Sequence, residues 1–175
     1  MFDMEKMVSS RVIHQGKNFS FKTDETELDN GVIVNRDIVD HPGAVAIIPL
    51  LGDGQIVFVR QFRYAAGREL LELPAGTLEK GENPDQCAAR ELKEETGYTA
   101  GSIKKILACY MAPGYSNEVI HFYLASDLKE GKQATEQDES IRVQVFGFDE
   151  ALKMIEDGGL MDAKTVAGVL TFLTR

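Results

Sequence analysis

Three glutamates close together are the residues of this sequence best suited to chemistry. Glu91, Glu94 and Glu95 lie within five positions, and on a helix Glu91 and Glu95 stand one turn apart on the same face, with Glu94 close beside them. Arg90 can offset part of their repulsion by pairing with Glu94 four residues on. The surplus negative charge favours a hard divalent cation with oxygen ligands, and Mg²⁺ fits best.

The segment around these glutamates has clear helix boundaries. Asn83 suits the N-cap and Pro84 the first helical position, whereas Gly97 suits the stop after Thr96. The sequence therefore predicts a helix of about 13 residues. A glutamate-rich helix is often only a solvated surface, so the glutamates by themselves do not establish a site.

The wider spacing of residues favours a functional interpretation. It resembles the Nudix hydrolase signature at every fixed polar and glycine position. Tyr98 stands where that family usually has an aliphatic residue, a departure that affects packing more than catalysis. The matching residues are Gly76, Glu82, Arg90, Glu91, Glu94, Glu95 and Gly97.

The resemblance implies a fold and a metal site. The order of predicted strands and helices indicates an α+β fold with a mixed sheet, and the resemblance implies an α/β/α sandwich. Glu91 and Glu95 would be the principal metal ligands, Glu94 a further ligand or a partner of the ligands, and Ala75 a backbone carbonyl donor. Mg²⁺, with Mn²⁺ as the alternative, would neutralise the phosphates and activate or orient water for hydrolysis of a pyrophosphate bond.

Features outside the signature resemble the ADP-ribose pyrophosphatase subfamily. Pro113 lies sixteen residues beyond Gly97, and residues 72–76 and 35–44 also match. By this resemblance Arg63 contacts the diphosphate or the terminal ribose, and Glu118 the sugar or phosphate. The full set of expected substrate contacts is Arg63, Glu118, Pro113, Gly114, Arg36, Phe19 and Glu72.

Two of these expectations have plain structural alternatives. Pro113 and Gly114 could form an ordinary turn. Phe19, expected as an aromatic platform for adenine, is equally suited to a hydrophobic core.

The general base is expected in an acidic loop before a strand at Ile141. Glu139 matches the family's glutamate nearest that strand and is our candidate for the base or a further metal ligand. Relatives usually have a second glutamate two positions earlier, where this chain has Gln137. Glu136 and Asp138 are therefore alternatives for the base.

The leading functional hypothesis is Mg²⁺-dependent hydrolysis of ADP-ribose to AMP and ribose 5-phosphate. One alternative keeps the chemistry but changes the substrate to another nucleotide sugar, such as ADP-glucose or GDP-mannose. A second is a sensor that binds ADP-ribose without cleaving it. The intact carboxylates and the lack of a basic helix-turn-helix module oppose the sensor.

Composition narrows the partners and the location. The formal charge of −9 argues against nucleic acid as the main partner. No apolar run is long enough to span a membrane, and residues 1–10 lack a signal-peptide core, so we expect no membrane partner and a cytoplasmic location. Cys87 and Cys109 form no CxxC pair and are expected to be buried, reduced thiols.

The elements that must position these residues fit one domain over residues 1–175, with an N-terminal β subregion at 1–42 and a core at 43–175. The subregion reads as short strands over residues 8–40 with a hairpin turn at Asn30 and Gly31. By resemblance, its sheet is exchanged across a homodimer. Core strands are expected at residues 44–50, 55–62, 103–110, 119–125 and 141–148, and further helices after caps at Asp149 and Asp162.

Overall fold

The computed structural model describes residues 5–135 and 140–173. The chain divides into two compact units, one made of Met1–Gly43 with Tyr110–Val119, the other of Ala44–Cys109 with Ile120–Arg175. The first boundary lies next to the predicted end of the N-terminal subregion. The inclusion of Tyr110–Val119 in the first unit was not predicted, and the single-domain assignment stays a prediction.

The first unit contains a three-stranded antiparallel sheet, as the sequence indicated. Its strands are β1 (Lys6–Gln15), β2 (Ser20–Glu27) and β3 (Ile33–Asp40), in the order β1-β2-β3.

The turn between β2 and β3 differs from the predicted one. Gly31 has a φ of +78°, but Asn30 does not share the left-handed conformation, since the only described non-glycine residue with positive φ is Asp127. Asn30 instead accepts a hydrogen bond on its side chain from the Val32 N–H at 3.1 Å. The connection is therefore five residues long, 28–32, and Asn30 stabilises it through its side chain.

The second unit is built on a mixed sheet with the order β10-β5-β4-β9-β8, in which β6 pairs with β5 and β7 with β4. β4 pairs with β9 in parallel, whereas its pairings with β5 and β7 are antiparallel. The short strands β6 and β7 were not predicted. The strands are β4 (Ala44–Leu51), β5 (Gln55–Arg63), β6 (Arg68–Glu72), β7 (Ala75–Thr77), β8 (Thr99–Tyr110), β9 (Val119–Lys129) and β10 (Ile141–Gly147).

Helix α1 (Pro84–Thr96) matches the prediction at both ends. The Asn83 side chain accepts a hydrogen bond from the Asp85 N–H at 2.8 Å. Gly97 closes the helix with a φ of +78°, and its N–H donates to the Lys93 carbonyl at 2.9 Å. Both termini are thus satisfied by the residues that the sequence indicated.

The other two helices are α2 (Phe148–Glu156) and α3 (Ala163–Leu173). The predicted cap at Asp149 is wrong, because β10 ends at Gly147 and this glycine is the N-cap, leaving Asp149 in the first turn. The cap at Asp162 is confirmed, since its carboxylate accepts a hydrogen bond from the Thr165 N–H at 3.0 Å.

The apolar strand β4 separates two hydrophobic clusters. Val45 and Ile47 pack with Leu92 of α1, whereas Ile48 packs with Ala151 of α2 and Val169 of α3. Because side chains alternate along a strand, α1 covers one face of the sheet and α2 and α3 cover the other. The predicted α/β/α sandwich is confirmed.

The cysteines take part in no disulfide. Cys87 is buried in the cluster beneath α1, and burial raises the pKa of its thiol to about 12. Cys109 is only half-buried, so the expectation of burial is correct for Cys87 alone. Among the helices in the described ranges, none has the length and apolar character needed to cross a membrane.

Candidate active site

Arg90 organises the glutamates of α1. Its Nη1 donates to Glu94 at 3.0 Å, which confirms the predicted pair, and to Glu91 at 2.7 Å. Its Nε and Nη2 each donate to one carboxylate oxygen of Glu82 at 2.9 Å. The hydrogen bond from Arg90 is the main cause that lowers the pKa of Glu82 to about 2. One guanidinium therefore pairs with three carboxylates and offsets part of their negative charge.

Glu91 and Glu95 both approach the backbone of β7. Glu95 is buried, and its carboxylate accepts a hydrogen bond from the Ala75 N–H at 2.9 Å. A Cβ built on Gly76 would lie 1.9 Å from Oε1 of Glu91. Only glycine therefore allows this close approach of the carboxylate to the chain. The pairing of β7 with β4 places the backbone that meets them.

The predicted metal ligands within the described residues are thus neighbours, but they are engaged with protein groups. Arg90 binds Glu91 and Glu94, and Ala75 binds Glu95. Across residues 5–135 and 140–173, no three His, Cys, Asp or Glu side chains form a ready metal-binding group. Metal binding by these residues stays a prediction. Glu139, together with its alternatives Glu136 and Asp138, lies outside the described residues.

Arg63 and Glu72 bind each other in the second unit. Nε and Nη2 of Arg63 each donate to a different oxygen of Glu72 at 2.7 Å, and Lys164 donates to the same carboxylate. Burial raises the pKa of Glu72, but the Arg63 hydrogen bonds and the Lys164 charge outweigh it and leave the pKa lowered. Glu72 is 1% exposed and the Arg63 side chain 43%. Arg63 is therefore the member of the pair that solvent, or a ligand, can reach.

In the first unit, Arg36, Pro113 and Gly114 line a common cleft of about 740 Å³. Tyr110 and Tyr115 also line it, and both are largely exposed. The Tyr115 N–H donates to the Ala112 carbonyl at 3.0 Å, so the Pro113 segment is a turn as well as a cleft wall. The Arg36 guanidinium forms a forked ion pair with Glu5, with hydrogen bonds of 2.9 and 2.6 Å.

The two remaining predicted contacts, Glu118 and Phe19, do not line this cleft. Glu118 Oε1 lies 3.8 Å from Nδ1 of His41, and that nitrogen accepts a hydrogen bond from the Gly43 N–H. Phe19 is 47% exposed, so the alternative that it belongs to the core is wrong. Its role as an aromatic platform stays a prediction.

Sequence reasoning missed two sets of residues beside the glutamates. Gln133 donates through Nε2 to the Glu95 carbonyl at 2.7 Å, and the Ala134 N–H donates to the Glu94 carbonyl at 3.0 Å. Lys164 and Thr165 contact Glu72 and Leu73. No sequence signal identified them, because these partners are dozens of positions apart.

Comparison with known proteins agrees with this architecture. Residues 40–167 match the NUDIX domain. The ADP-ribose pyrophosphatase of Bacillus subtilis is 42% identical over 167 residues, covering 94% of this chain and 90% of that protein. A GDP-mannose pyrophosphatase of Yersinia enterocolitica is 37% identical over 150 residues, covering 79% and 78%.

A solved structure shows the same fold. The crystal structure of an ADP compounds hydrolase superposes with a TM-score of 0.84 over 97% of this chain and 92% of that one, at 20% identity. At that identity the likeness concerns the fold alone. The domain match and the relatives show that the chain belongs to the Nudix family.

Proposed function

We propose that this chain hydrolyses the pyrophosphate bond of ADP-ribose in a Mg²⁺-dependent reaction that yields AMP and ribose 5-phosphate. The observation that carries the reaction class is the approach of Glu91 and Glu95 to the backbone of Ala75 and Gly76. The substrate is supported by the Bacillus subtilis ADP-ribose pyrophosphatase, which matches nearly the whole chain.

The residues present fit a hard divalent cation. Ala75 would supply its carbonyl oxygen, and carboxylate oxygens would come from Glu91, Glu94, Glu95 and Glu139. Mg²⁺ prefers such oxygen ligands, and Mn²⁺ also binds them. Gly76 leaves room for the Glu91 carboxylate where any side chain would collide with it. A bound cation would neutralise phosphate charge and lower the pKa of a water molecule.

The chain's own groups have separate roles in this proposal. Arg63, held by Glu72, presents a guanidinium to the anionic oxygens of the diphosphate. Arg90 offsets part of the charge of Glu82, Glu91 and Glu94, which reduces their repulsion before any cation binds. Glu139 would take the proton of the attacking water, with Glu136 or Asp138 as alternatives.

In the first unit we assign substrate contacts to the residues that line its cleft. Arg36 supplies a cation, and Pro113 and Gly114 supply a turn beside two exposed tyrosines, side chains able to stack on a base or sugar. Glu118 and Phe19 remain proposed contacts to the sugar or phosphate and to adenine.

We also infer a homodimer with an exchanged N-terminal sheet and a cytoplasmic location. All ten residues of β1 are exposed, including Met7, Val8, Val12 and Ile13. Apolar side chains on an edge strand are a liability unless another surface covers them. A second copy of the chain would cover them.

The deciding experiment measures AMP release from ADP-ribose with Mg²⁺, with and without EDTA, and compares kcat/KM with that for GDP-mannose. Metal-dependent release of AMP, faster from ADP-ribose, supports the proposal. A kcat/KM about tenfold higher for GDP-mannose, a difference of about 1.4 kcal/mol in transition-state binding, would sink the substrate assignment.

GDP-mannose is the second candidate substrate because a GDP-mannose pyrophosphatase also matches about four-fifths of the chain. The catalytic carboxylates would be unchanged. Discrimination between the two nucleotide sugars would then rest on the contacts to the base and the sugar, the parts that differ between them, rather than on α1.

Replacing Glu95 with glutamine tests the metal assignment. We expect kcat to fall at least about a hundredfold with Tm nearly unchanged, because the amide can still accept the Ala75 hydrogen bond but is a neutral metal donor. The control is Glu156→Gln, an exposed glutamate of α2. A near-normal rate for Glu95→Gln at saturating Mg²⁺ would remove Glu95 from the metal site.

A further inference from the structure

The segment over residues 72–75 joins the two parts of the candidate site. At one end Glu72 holds the Arg63 guanidinium, and at the other the Ala75 N–H binds Glu95. Leu73 and Pro74 lie between β6 and β7 and belong to neither strand. Any displacement of this short connection would therefore move both the proposed phosphate-binding arginine and a proposed metal donor.

Thr165 of α3 binds the backbone of this connection. The Leu73 N–H donates to the Thr165 hydroxyl at 2.8 Å, and the hydroxyl itself donates to Asp162 at 2.5 Å. Asp162 thus fixes the hydroxyl proton and leaves an oxygen lone pair directed at Leu73. Pro74 has no N–H, so Leu73 is the only residue between the two strands that can donate such a bond.

Lys164, the preceding residue, binds the side chain at the start of the segment. Its ammonium donates to Glu72 and, at 2.9 Å, to Asp162, and the residue is 9% exposed. Glu72 is therefore held between Arg63 and Lys164. With Asp162, these residues form a group of two positive and two negative charges in which Arg63 is the exposed member, and the two cations compensate the burial of Glu72.

Packing adds a further restraint from the same helix. A Cβ built on Gly168 would lie 2.5 Å from Cδ1 of Leu73, so α3 contacts this side chain directly and an added methyl group would force it to shift. Leu73 is fully buried. The backbone, the charged side chain and the apolar side chain of the segment all meet α3.

We propose that Lys164 and Thr165, at the amino end of α3, are positioning residues that hold the 72–75 segment so that Arg63 and Ala75 face substrate and metal. This inference rests on the proposed function for the roles of Arg63 and Ala75. In the competing explanation the strand pairings of β6 and β7 hold the segment by themselves, and Lys164 and Thr165 contribute only to stability.

The first test compares Thr165→Val, which removes the hydroxyl but keeps the shape, with Thr165→Ser, which keeps the hydroxyl. Mn²⁺ binding by the full-length protein without substrate is measured by electron paramagnetic resonance, alongside kcat, KM and Tm. We expect Thr165→Val to weaken Mn²⁺ binding and lower kcat by about tenfold, the usual size for a partner of a metal ligand, and Thr165→Ser to stay within about twofold of wild type.

The second test uses Lys164→Met with Lys153→Met, an exposed lysine of α2, as the matched control. Loss of the Lys164 ammonium leaves Glu72 with Arg63 alone, so the carboxylate that positions Arg63 is itself held less firmly. We therefore expect KM for ADP-ribose to rise about tenfold. Lys153→Met should behave as wild type. This test also stands if Thr165→Val fails to fold.

The outcomes separate this inference from the proposed function. Lower Tm with wild-type Mn²⁺ binding, kcat and KM in the Thr165 and Lys164 variants would overturn the positioning role and leave the function intact. Mn²⁺ binding by wild type without AMP release would overturn the function, while weaker Mn²⁺ binding in Thr165→Val would still support the positioning role. A wild-type protein that binds no Mn²⁺ overturns both.

Discussion

Single residues at the site show how a concentrated negative charge is kept stable. Arg90 forms ion pairs with three glutamates, one of them Glu82, which precedes the helix. Its own pKa is raised, chiefly by the hydrogen bond to Glu82, so it stays charged at any relevant pH. Arg90 therefore stabilises the folded cluster rather than acting as a proton donor.

The ion pair between Glu82 and Arg90 predicts that the free energy of unfolding depends on pH in the acid range. The folded pKa of Glu82, about 2, lies below its ordinary value of 4.5, so its stabilising contribution is complete above about pH 4.5 and is lost as the pH falls towards 2. We expect the stability difference between wild type and Glu82→Gln, measured by urea unfolding, to be constant near neutral pH and to shrink below about pH 4.5.

The control for this pH dependence is Asn83→Ala, which removes the neighbouring cap of α1. Asparagine does not titrate, so we expect the loss of unfolding free energy in this variant not to shrink below about pH 4.5 as that of Glu82→Gln does. A Glu82→Gln deficit that stays constant down to about pH 3 would show that the ion pair does not stabilise the fold.

Gly76 predicts a steric effect at a single position. A methyl group there would lie 1.9 Å from the Glu91 carboxylate, so Gly76→Ala should displace Glu91 and lower kcat for AMP release by at least about tenfold. The control is Gly52→Ala, where an added Cβ meets nothing within 4 Å. Equal activity of the two variants would show that the position of Glu91 does not matter for the reaction.

At the scale of elements, local residues stabilise both ends of α1 independently of tertiary contacts. Asn83 caps its start, and Gly97 closes its end. Gln133 and Ala134 then satisfy carbonyls in its last turn, which otherwise lack partners within the helix. These contacts fix the end of the helix that carries Glu94 and Glu95.

Gly97 and Gly158 both have a positive φ, but only Gly97 also has close neighbours. Substitutions at the two positions therefore distinguish the cost of backbone strain from the cost of steric crowding. Gly158 has a φ of +72° with open space around it, so Gly158→Ala should cost about 1–2 kcal/mol, the usual penalty for a left-handed residue. At Gly97 the φ is +78°, and a Cβ would also lie 2.8 Å from the Gln133 nitrogen.

We therefore expect Gly97→Ala to lower Tm more than Gly158→Ala, which itself lowers it by about 2–8 °C in a chain of this size. Differential scanning calorimetry of both variants measures this difference. Equal losses would mean that the segment at Gln133 moves aside without cost.

At the scale of the whole molecule, the exposed apolar side chains of β1 favour contact with another protein surface. β1 has no buried residue, although it carries two adjacent pairs of large apolar side chains, Met7 with Val8 and Val12 with Ile13. The proposed homodimer provides that surface by placing a second N-terminal sheet against it.

The dimer proposal predicts the effect of a charge on β1. Val12 is 56% exposed, and Val12→Glu should convert the protein from twice the chain mass to the monomer mass, because an unpaired carboxylate would be buried in the interface. Light scattering after size exclusion measures both masses. The control is Leu170→Glu, an exposed position of α3. A wild-type monomer would overturn the proposal.

The sequence determined the features that depend on local chemistry. The limits of α1, the cap at Asp162, the apolar runs of β4 and β5 and the Arg90–Glu94 pair all follow from neighbours within a few positions, and each was confirmed. The cap at Asp149 failed, because β10 ends at Gly147, one residue before the predicted end of the strand, and α2 already begins at Phe148.

Only the tertiary structure decided which distant groups meet. The strands β6 and β7 have five and three residues, too short for a periodic pattern, and they form because β5 and β4 offer them partners. The contact of Lys164 with Glu72 spans 92 positions. Such contacts depend on how the sheet and helices pack, and no local spacing in the chain encodes them.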